Sequence, residues 1–488
     1  MSSLSQRISK ADYLRYLECP RFAWLWKQRP ELRIDCINSR LSDQGDAVEK
    51  IAHELFPKGV SVNVSGNLSN QHTLSVMETK ETVIYQATAI TSAFIAKADI
   101  LIKDDLGWHL YEVKSSTKIK PEHIADIGFQ ASVFTDCGIT LNSLNIILVD
   151  TTYIFQKNKG IEPNKFLYTK NISEKVYDDL LDIQEKMKKA HKDLNRKSPP
   201  NVPSLKKSFK YDLPKTLEKC YRQHVPEYSI YDISNIRKPK LDEFCKKGII
   251  KICDVPDRSF KSNAMNLQVS LTKEKSSKVN ISSIREQLDA LEYPLYFLDY
   301  EAINPAIPLF DKTHPYDQIP FQYSLHKIPK PGARLQHTEF LHADKTNPIP
   351  TLVKQLTHDI GQTGTIIVWN QSFEKRCNRY MGKMYPRYKS QLESINLRVF
   401  DLMGIFKEKY IDYRFKGSCS IKSILPVLIP ELSYSELDIQ HGGMAIDGIL
   451  DIVENKVIDR PKLITGLKEY CKLDTMAMVR IFEFLNDL

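Results

Sequence analysis

No stretch of this 488-residue chain approaches the ~20 apolar residues that a bilayer-spanning helix needs. The opening run, Met1 to Arg7, lacks the apolar core of a secretory signal. Nine cysteines, an odd number widely scattered, lack the dense spacing of a disulfide framework. Together these absences predict reduced thiols, a cytoplasmic location and no membrane partner. No Cys-x-x-Cys or His-x-x-x-His pair stands at zinc-ligand spacing. No repeat with a period of about 20–50 residues is present, which excludes a solenoid or propeller. There is also no coiled-coil signature to set an oligomeric state, and nothing identifies a protein partner.

What is present is ordinary globular composition, 42% hydrophobic and 26% charged. At about 100–200 residues per domain the length predicts two to four domains. A formal charge of +9 is a modest bias toward polyanions.

Helical patterns fit 9–28, 40–56, 120–136 and 174–195, and strand patterns fit 82–103, 108–114 and 143–155. Pro199-Pro200-Asn201-Val202-Pro203 stops the last helix. A lysine-rich stretch follows, with Lys206, Lys207, Lys210, Lys215 and Lys219 and few large apolar residues. Beyond 285 the alternation resumes, with strands at 295–301, 318–326, 335–342 and 365–369. Helices fit 350–360, 372–382, 420–427 and 461–486. The pattern predicts an α/β chain with mixed sheets flanked by helices. Its parts are an N-terminal domain over 1–198, a basic linker and small helical connector over 199–285, and a C-terminal domain over 286–488.

Chemistry concentrates in two acidic groups. Ala96 to Lys103 and Trp108 to Lys114 read as a hairpin. Pairing Lys103 with Trp108 sets Asp99 opposite Glu112, about 4.5–5.5 Å away between Cβ atoms. Lys114 projects from the same face as Glu112. Two carboxylates so close call for a cation, and their hard oxygens suit Mg²⁺ or Mn²⁺. A cross-strand salt bridge on a solvated face is the competing reading.

The Asp99…Glu112-Val113-Lys114 arrangement resembles the core of PD-(D/E)XK nucleases, specifically the RecB-like group. Gln130, in Gly128 to Phe134, falls where that group has a Gln-x-x-x-Tyr helix motif, with Phe134 in place of Tyr. Leu14 to Arg21 resembles the group's opening helix. Glu49, after Gln44-Gly45, stands where the group often has a metal-binding His. The resemblance implies metal ligation by Asp99, Glu112 and Glu49, with the Val113 carbonyl assisting. It implies that Lys114 orients water and that Gln130 holds water or a phosphate. Members of the group often carry four cysteines for an iron–sulfur cluster. Here only Cys19 and Cys220 fit that placement, so no cluster is expected.

In the second group, Asp299 and Glu301 share one face of an otherwise apolar strand, where burial is costly without a cation or donors. In the last helix, Leu467, Tyr470, Cys471, Met478, Ile481, Phe482 and Leu485 form an apolar stripe that contains Asp474. A metal shared with Asp299 and Glu301 would explain that aspartate, and so would a capping lysine. With Asn370, Phe373 and Glu374, the set resembles the DnaQ-like 3′→5′ exonucleases of the RNase H-like superfamily. Their Asp-x-Glu matches Asp299 and Glu301, and their Tyr-x-x-x-Asp matches Tyr470 and Asp474. Glu374 replaces the usual Asp of the middle motif, and Asp401 resembles an auxiliary acid. The resemblance implies that Asp299, Glu301, Glu374 and Asp474 ligate two metals and that Tyr470 positions the attacking water.

The order of the two halves is similar to an uncharacterised, mostly bacterial family that joins a RecB-like PD-(D/E)XK domain to a DnaQ-like domain. The expected function is a divalent-metal-dependent nuclease with a site in each domain, acting on DNA or RNA, with DNA favoured. Lys206, Lys207, Lys210 and Asn370 are expected to contact the nucleic acid. The alternative is a nucleic-acid-binding scaffold with one or both sites inactive.

Overall fold

The computed structural model describes residues 6–33, 39–209 and 213–488, the side chains of 39–42 excepted. The chain divides into two units. The first is Met1–Val225 with Pro305–Tyr316, and the second is Pro226–Asn304 with Asp317–Leu488. Both are α/β units built on mixed sheets.

The first sheet contains β1 (Ile8–Ser9), β2 (Val60–Ser61), β3 (Val83–Ile90) and β4 (Phe94–Asp104). It continues with β5 (Gly107–Lys114), β6 (Leu141–Val149) and β7 (Leu167–Asn171). Their order is β2-β3-β4-β5-β6-β7, with β1 beside β4. The extended run expected over 82–103 is therefore two strands. Thr91 makes the break: its hydroxyl accepts from the N–H groups of Ala93 (3.3 Å) and Phe94 (2.9 Å), closing a tight turn. β3, β4 and β5 form an antiparallel meander, whereas β5 and β6 are parallel and need the crossover helix Pro121–Asp136.

Neighbouring residues along each strand feed opposite faces. Ile84, Leu101 and Ile146 lie in one core, and Tyr85, Ile100 and Ile147 in another. Onto the first face pack Lys10–Glu18, whose Tyr13 stacks on Phe129 at 5.2 Å, and Pro20–Gln28. These two replace the single helix expected over 9–28. Cys19 is extended, and Pro20 begins the second helix at the one position where its missing N–H costs nothing.

The linker and connector expected over 199–285 do not form a part of their own. Residues up to Val225 belong to the first unit, where Phe209 packs 4.6 Å from Phe22, and Leu217 and Tyr221 are buried in the same core. The large apolar residues of that stretch are few, but they are spent on the first domain. Lys210 lies outside the described residues. Pro305–Tyr316 adds to this unit: Ala306 is buried with Tyr153 and Phe166, and Phe155 exchanges backbone hydrogen bonds with Lys312 and Thr313.

From Pro226 the chain belongs to the second unit. There β8 (Ser277–Val279) pairs with β14 (Tyr410–Asp412), and Ile284 and Leu288 share a core with Phe297 and Phe482. The main sheet runs β11-β10-β9-β12-β13. It comprises β9 (Leu295–Ile303), β10 (Ile319–Ile328), β11 (Gln336–Leu341), β12 (Thr365–Val368) and β13 (Val399–Asp401). Central β9 is antiparallel to β10 and parallel to β12. Its odd-numbered face meets the helix Arg460–Asn486, with Phe297 5.6 Å from Phe482. Its even-numbered face meets Gln371–Met384, through a 2.8 Å hydrogen bond from the Tyr300 hydroxyl to Asn378.

Gly364, which leads into β12, has φ +90, and a Cβ there would overlap the Pro294 backbone at the start of β9. Gly364→Ala is expected to lower stability by about 3 kcal/mol or more, from a strained backbone combined with overpacking. A drop in the urea midpoint checks this. Among the described residues, no helix is long and apolar enough to cross a membrane.

Candidate functional site

Register brings the first acidic group together. Lys103 pairs with Trp108, so Asp99 lies across from Glu112. Tyr85 pairs with Ile100 and Ala87 with Ala98, which sets Gln86 across from Asp99 on the other side. Asp99 accepts a 2.8 Å hydrogen bond from the Val113 N–H. The crossover helix adds Asp126 and Gln130, one turn apart, and the Gln130 amide donates to Glu112 (2.7 Å) and Asp126 (2.9 Å). Glu112, Asp126 and Gln130 are buried.

Two ammonium groups complete the pocket. Lys114 Nζ lies 2.6 Å from both Glu112 and Asp126. Lys10 Nζ lies 2.7 Å from Glu112 and 3.9 Å from Asp99 and from Asp126. Burial, then the Glu112 charge, push the Asp99 carboxyl up to about 8. Asp126 is also buried, yet Lys114 and Lys10 outweigh that cost and hold it well below the carboxylate range. Glu49 is bonded to His53 (3.3 Å) and to the Gln86 amide, an arrangement in which Gln86 adopts φ +56. Glu49 reaches Asp99 through its charge.

The second group is different in kind. Asp299, Glu301 and Asp474 each offer an oxygen, and these atoms lie within 4.8 Å of one another. β12 pairs with β9 only as far as Phe297, so both strand acids stand just beyond the end of that parallel pair. Two side chains opposite them on β10 fasten the last helix. Gln322, opposite Glu301, donates to the Leu467 carbonyl at 2.8 Å. Ser324, opposite Asp299, meets Thr475 at 2.7 Å, next to Asp474. The Tyr434 hydroxyl donates to Asp474 at 2.6 Å, and Tyr470 bonds it as well. Cys471 bonds Asp299 at 3.7 Å.

Among the described residues, no lysine, arginine or histidine forms an ion pair with these three carboxylates. The consequence is electrostatic. Burial, then Asp474 and Glu301, push Asp299 well above the carboxylate range. Burial and Asp474 push Glu301 up to about 8, and burial pushes Asp474 up to about 6. Like charges in a dry site cannot all ionise without a partner. The donor set therefore fits a hard divalent cation: three carboxylate oxygens, converging and short of positive charge.

Glu374 is not one of the three converging residues. It is buried at the start of its helix, with Oε2 lacking any hydrogen-bond partner. Burial, then the Asp401 charge, raise it to about 8, and its charge reaches Asp299. Asn370 is exposed with φ +75, and its N–H donates to Asp401 at 3.0 Å.

Residues 296–420, which contain Asp299, Glu301 and Glu374, match the model of a family described as a domain of unknown function, DUF2779. The chain is 29% identical over 216 residues to the uncharacterized protein MG366 homolog of Mycoplasma pneumoniae, covering 40% of this chain and 32% of the relative. It is 27% identical over 212 residues to uncharacterized protein MG366 of Mycoplasma genitalium, covering 39% and 32%. A third relative, uncharacterized protein UU173 of Ureaplasma parvum, is 25% identical over 217 residues, covering 39% and 31%. The chain thus spans about a third of the length of these curated relatives. No solved structure matches it.

The expected nucleic-acid lysines are placed less simply. Lys206 is ion-paired with Glu18 and stands over the Phe209 ring at 5.4 Å, so its charge is already engaged. The Lys207 carbonyl accepts from Arg222. Cys19 is buried, 3.3 Å from the Tyr221 hydroxyl. Four site residues had escaped sequence reasoning. Asp126 was findable, since it precedes Gln130 by one helical turn. Lys10, Lys422 and Tyr434 carried no local signal. Lys422 Nζ lies 5.1 Å and 5.3 Å from the Tyr434 and Tyr470 ring centroids, donates to the Gln440 carbonyl at 2.7 Å, and acts electrostatically on Glu301 and Asp474.

Proposed function

We propose that this protein is a divalent-metal-dependent nuclease whose hydrolytic centre lies in the second unit, with a 3′→5′ exonuclease-type, DnaQ-like arrangement. The observation that carries this reading is the convergence of Asp299, Glu301 and Asp474, with no lysine, arginine or histidine ion-paired to them among the described residues. In the reading, those three hold Mg²⁺ or Mn²⁺, and Glu374 supplies the fourth carboxylate from the neighbouring helix. A bound divalent ion supplies Lewis acidity, lowering the pKa of water and neutralising phosphate charge.

The remaining steps belong to the chain. Tyr434 and Tyr470 fix the Asp474 carboxylate from two sides, and the Tyr470 hydroxyl orients the attacking water. Burial, then the Asp474 charge, hold both phenols far above their ordinary range, so they stay protonated donors. Lys422 brings a positive charge to the rim, where it stabilises charge developing on the phosphate. The first unit is the PD-(D/E)XK-like partner in this reading, and its pocket differs in that two lysines already neutralise most of its charge.

The test is digestion of end-labelled single- and double-stranded DNA and RNA with Mg²⁺ or Mn²⁺. Products shortened from the 3′ end are expected, with loss in EDTA. Tyr470→Phe is expected to lower kcat by about 100-fold or more while leaving Mn²⁺ affinity nearly unchanged, the low end of what a side chain positioned on the reacting group contributes. Salt-sensitive binding with every substrate intact would overturn the nuclease reading in favour of a binding scaffold.

A further inference from the structure

The first unit's pocket fits a divalent ion by its donors but not by its occupants. Asp99, Glu112 and Asp126 come from two strands and a helix, and an ammonium stands among all three. We propose that Lys10 is a tethered cation holding the divalent-ion position of this pocket, which takes up Mg²⁺ or Mn²⁺ only when the Lys10 side chain swings out.

Three observations carry this. The first is the geometry: Lys114 is paired with Glu112 and Asp126, whereas Lys10 is the group that contacts all three carboxylates, at 2.7, 3.9 and 3.9 Å. The second is the tether. Ser9 and Asp12 form a reciprocal capping box at 3.1 and 3.2 Å, the Ile8 N–H donates to the Ala93 carbonyl at 3.0 Å, and β1 pairs with Phe94 and Ile95. The Lys10 backbone is thus pinned to the sheet, and only its four side-chain torsions remain to move the ammonium. The side chain is 25% exposed while Glu112 beneath it is 2% exposed, so Lys10 lies between the acids and solvent.

The third is like-charge repulsion and a spare acceptor. Lys10 Nζ lies 2.7 to 3.9 Å from the carboxylate oxygens that an ion would take, so ammonium and ion would stand as like charges about 4 Å apart in a dry setting, which is strongly unfavourable. Gln130, fully buried with its amide nitrogen on Glu112 and Asp126, keeps an Oε1 with no partner. That acceptor is available to a hydrated ion. Lys10 is therefore an occupancy element: it makes this unit's metal uptake conditional, whereas among the described residues no lysine is ion-paired with the second unit's three acids, Lys422 acting on them only at longer range.

The experiment uses the full chain carrying Asp299→Asn and Glu301→Gln, which removes the second unit's donors, and follows Mn²⁺ by electron paramagnetic resonance and calorimetry. With Lys10 present, no Glu112-dependent ion is expected at micromolar Mn²⁺. Adding Lys10→Gln, or Lys10→Met as an independent neutral variant, is expected to create one Mn²⁺ site. Its affinity should rise on the order of a hundredfold, from removing a like charge about 4 Å from the ion, and Glu112→Gln should abolish it again. Mn²⁺ should raise the melting temperature of the neutral variants alone. Glu112-dependent uptake of one ion by the Lys10 protein, at the affinity of the variants, overturns the proposal, as does absence of uptake by both folded neutral variants. Failure of the second unit's site to bind would show separately, as no Asp299-dependent uptake in the unmodified chain.

Discussion

Asp299→Asn is expected to reduce metal-dependent cleavage about a thousandfold or more, the scale of several kcal/mol of lost metal-ion stabilisation of the transition state. The same change is expected to raise, not lower, the melting temperature of the metal-free protein. Asp299 sits against Asp474 and Glu301 with no ion pair, and removing one acid relieves that repulsion. A gain of about 1 kcal/mol corresponds to roughly 2–4 °C in a unit of this size. Glu112→Gln in the first unit is expected to act in the opposite sense, lowering stability by about 3 kcal/mol, because it strips two lysines of a shared carboxylate. Calorimetric melting of both variants in EDTA checks the pair. Destabilisation by Asp299→Asn would place that acid in a structural ion pair and remove the case for a metal.

The second large effect is in pH. Glu301, Glu374 and Asp99 are raised to about 8, with Asp299 also above its ordinary range. Unfolded carboxyls titrate near 4. Between those values the folded chain binds more protons than the unfolded one, so stability falls as pH rises. Below about 6.5 an opposite contribution enters. His123 and His326 are depressed to about 4 and about 3 by burial, and they add stability as pH rises toward the unfolded histidine value. Asp126 also favours the folded state as pH rises, but in a window below about 4. The carboxyl effect therefore stands alone from about pH 6.5 to 8. In EDTA the urea midpoint is expected to fall across that window. Saturating Mg²⁺ should flatten the fall, since a bound ion keeps the second unit's acids charged at no cost. A midpoint that rises with pH in EDTA, or one indifferent to Mg²⁺, contradicts the site as described.

Much of the architecture was legible because local rules sufficed. The Lys103–Trp108 register followed from one turn, and it carried Asp99 to Glu112. Asp474 stood out as a carboxylate inside an apolar helical stripe, and Asp299 with Glu301 as acids in an apolar strand. What could not be read depends on distance along the chain. Lys10 meets Glu112 across 102 positions, and Tyr434 meets Asp474 across 40. Nothing local distinguishes either from a surface residue. The lysine-rich stretch is hard to read for a related reason: a charge count does not reveal that Lys206 is paired with Glu18 or that Phe209 packs against Phe22. Glu374, also expected among the ligands, is not one of the three converging acids: it is buried with its Oε2 lacking a hydrogen-bond partner, and it reaches Asp299 through its charge.

In the proposal, three carboxylates of the second unit form a cation site and lysine holds the first unit's pocket. Crystals soaked in Mn²⁺ and measured at the manganese absorption edge test it most directly. Anomalous density is expected among Asp299, Glu301 and Asp474, and none among Asp99, Glu112 and Asp126 while Lys10 is in place. Density absent from the first location, or present at the second beside an undisplaced Lys10, would contradict it.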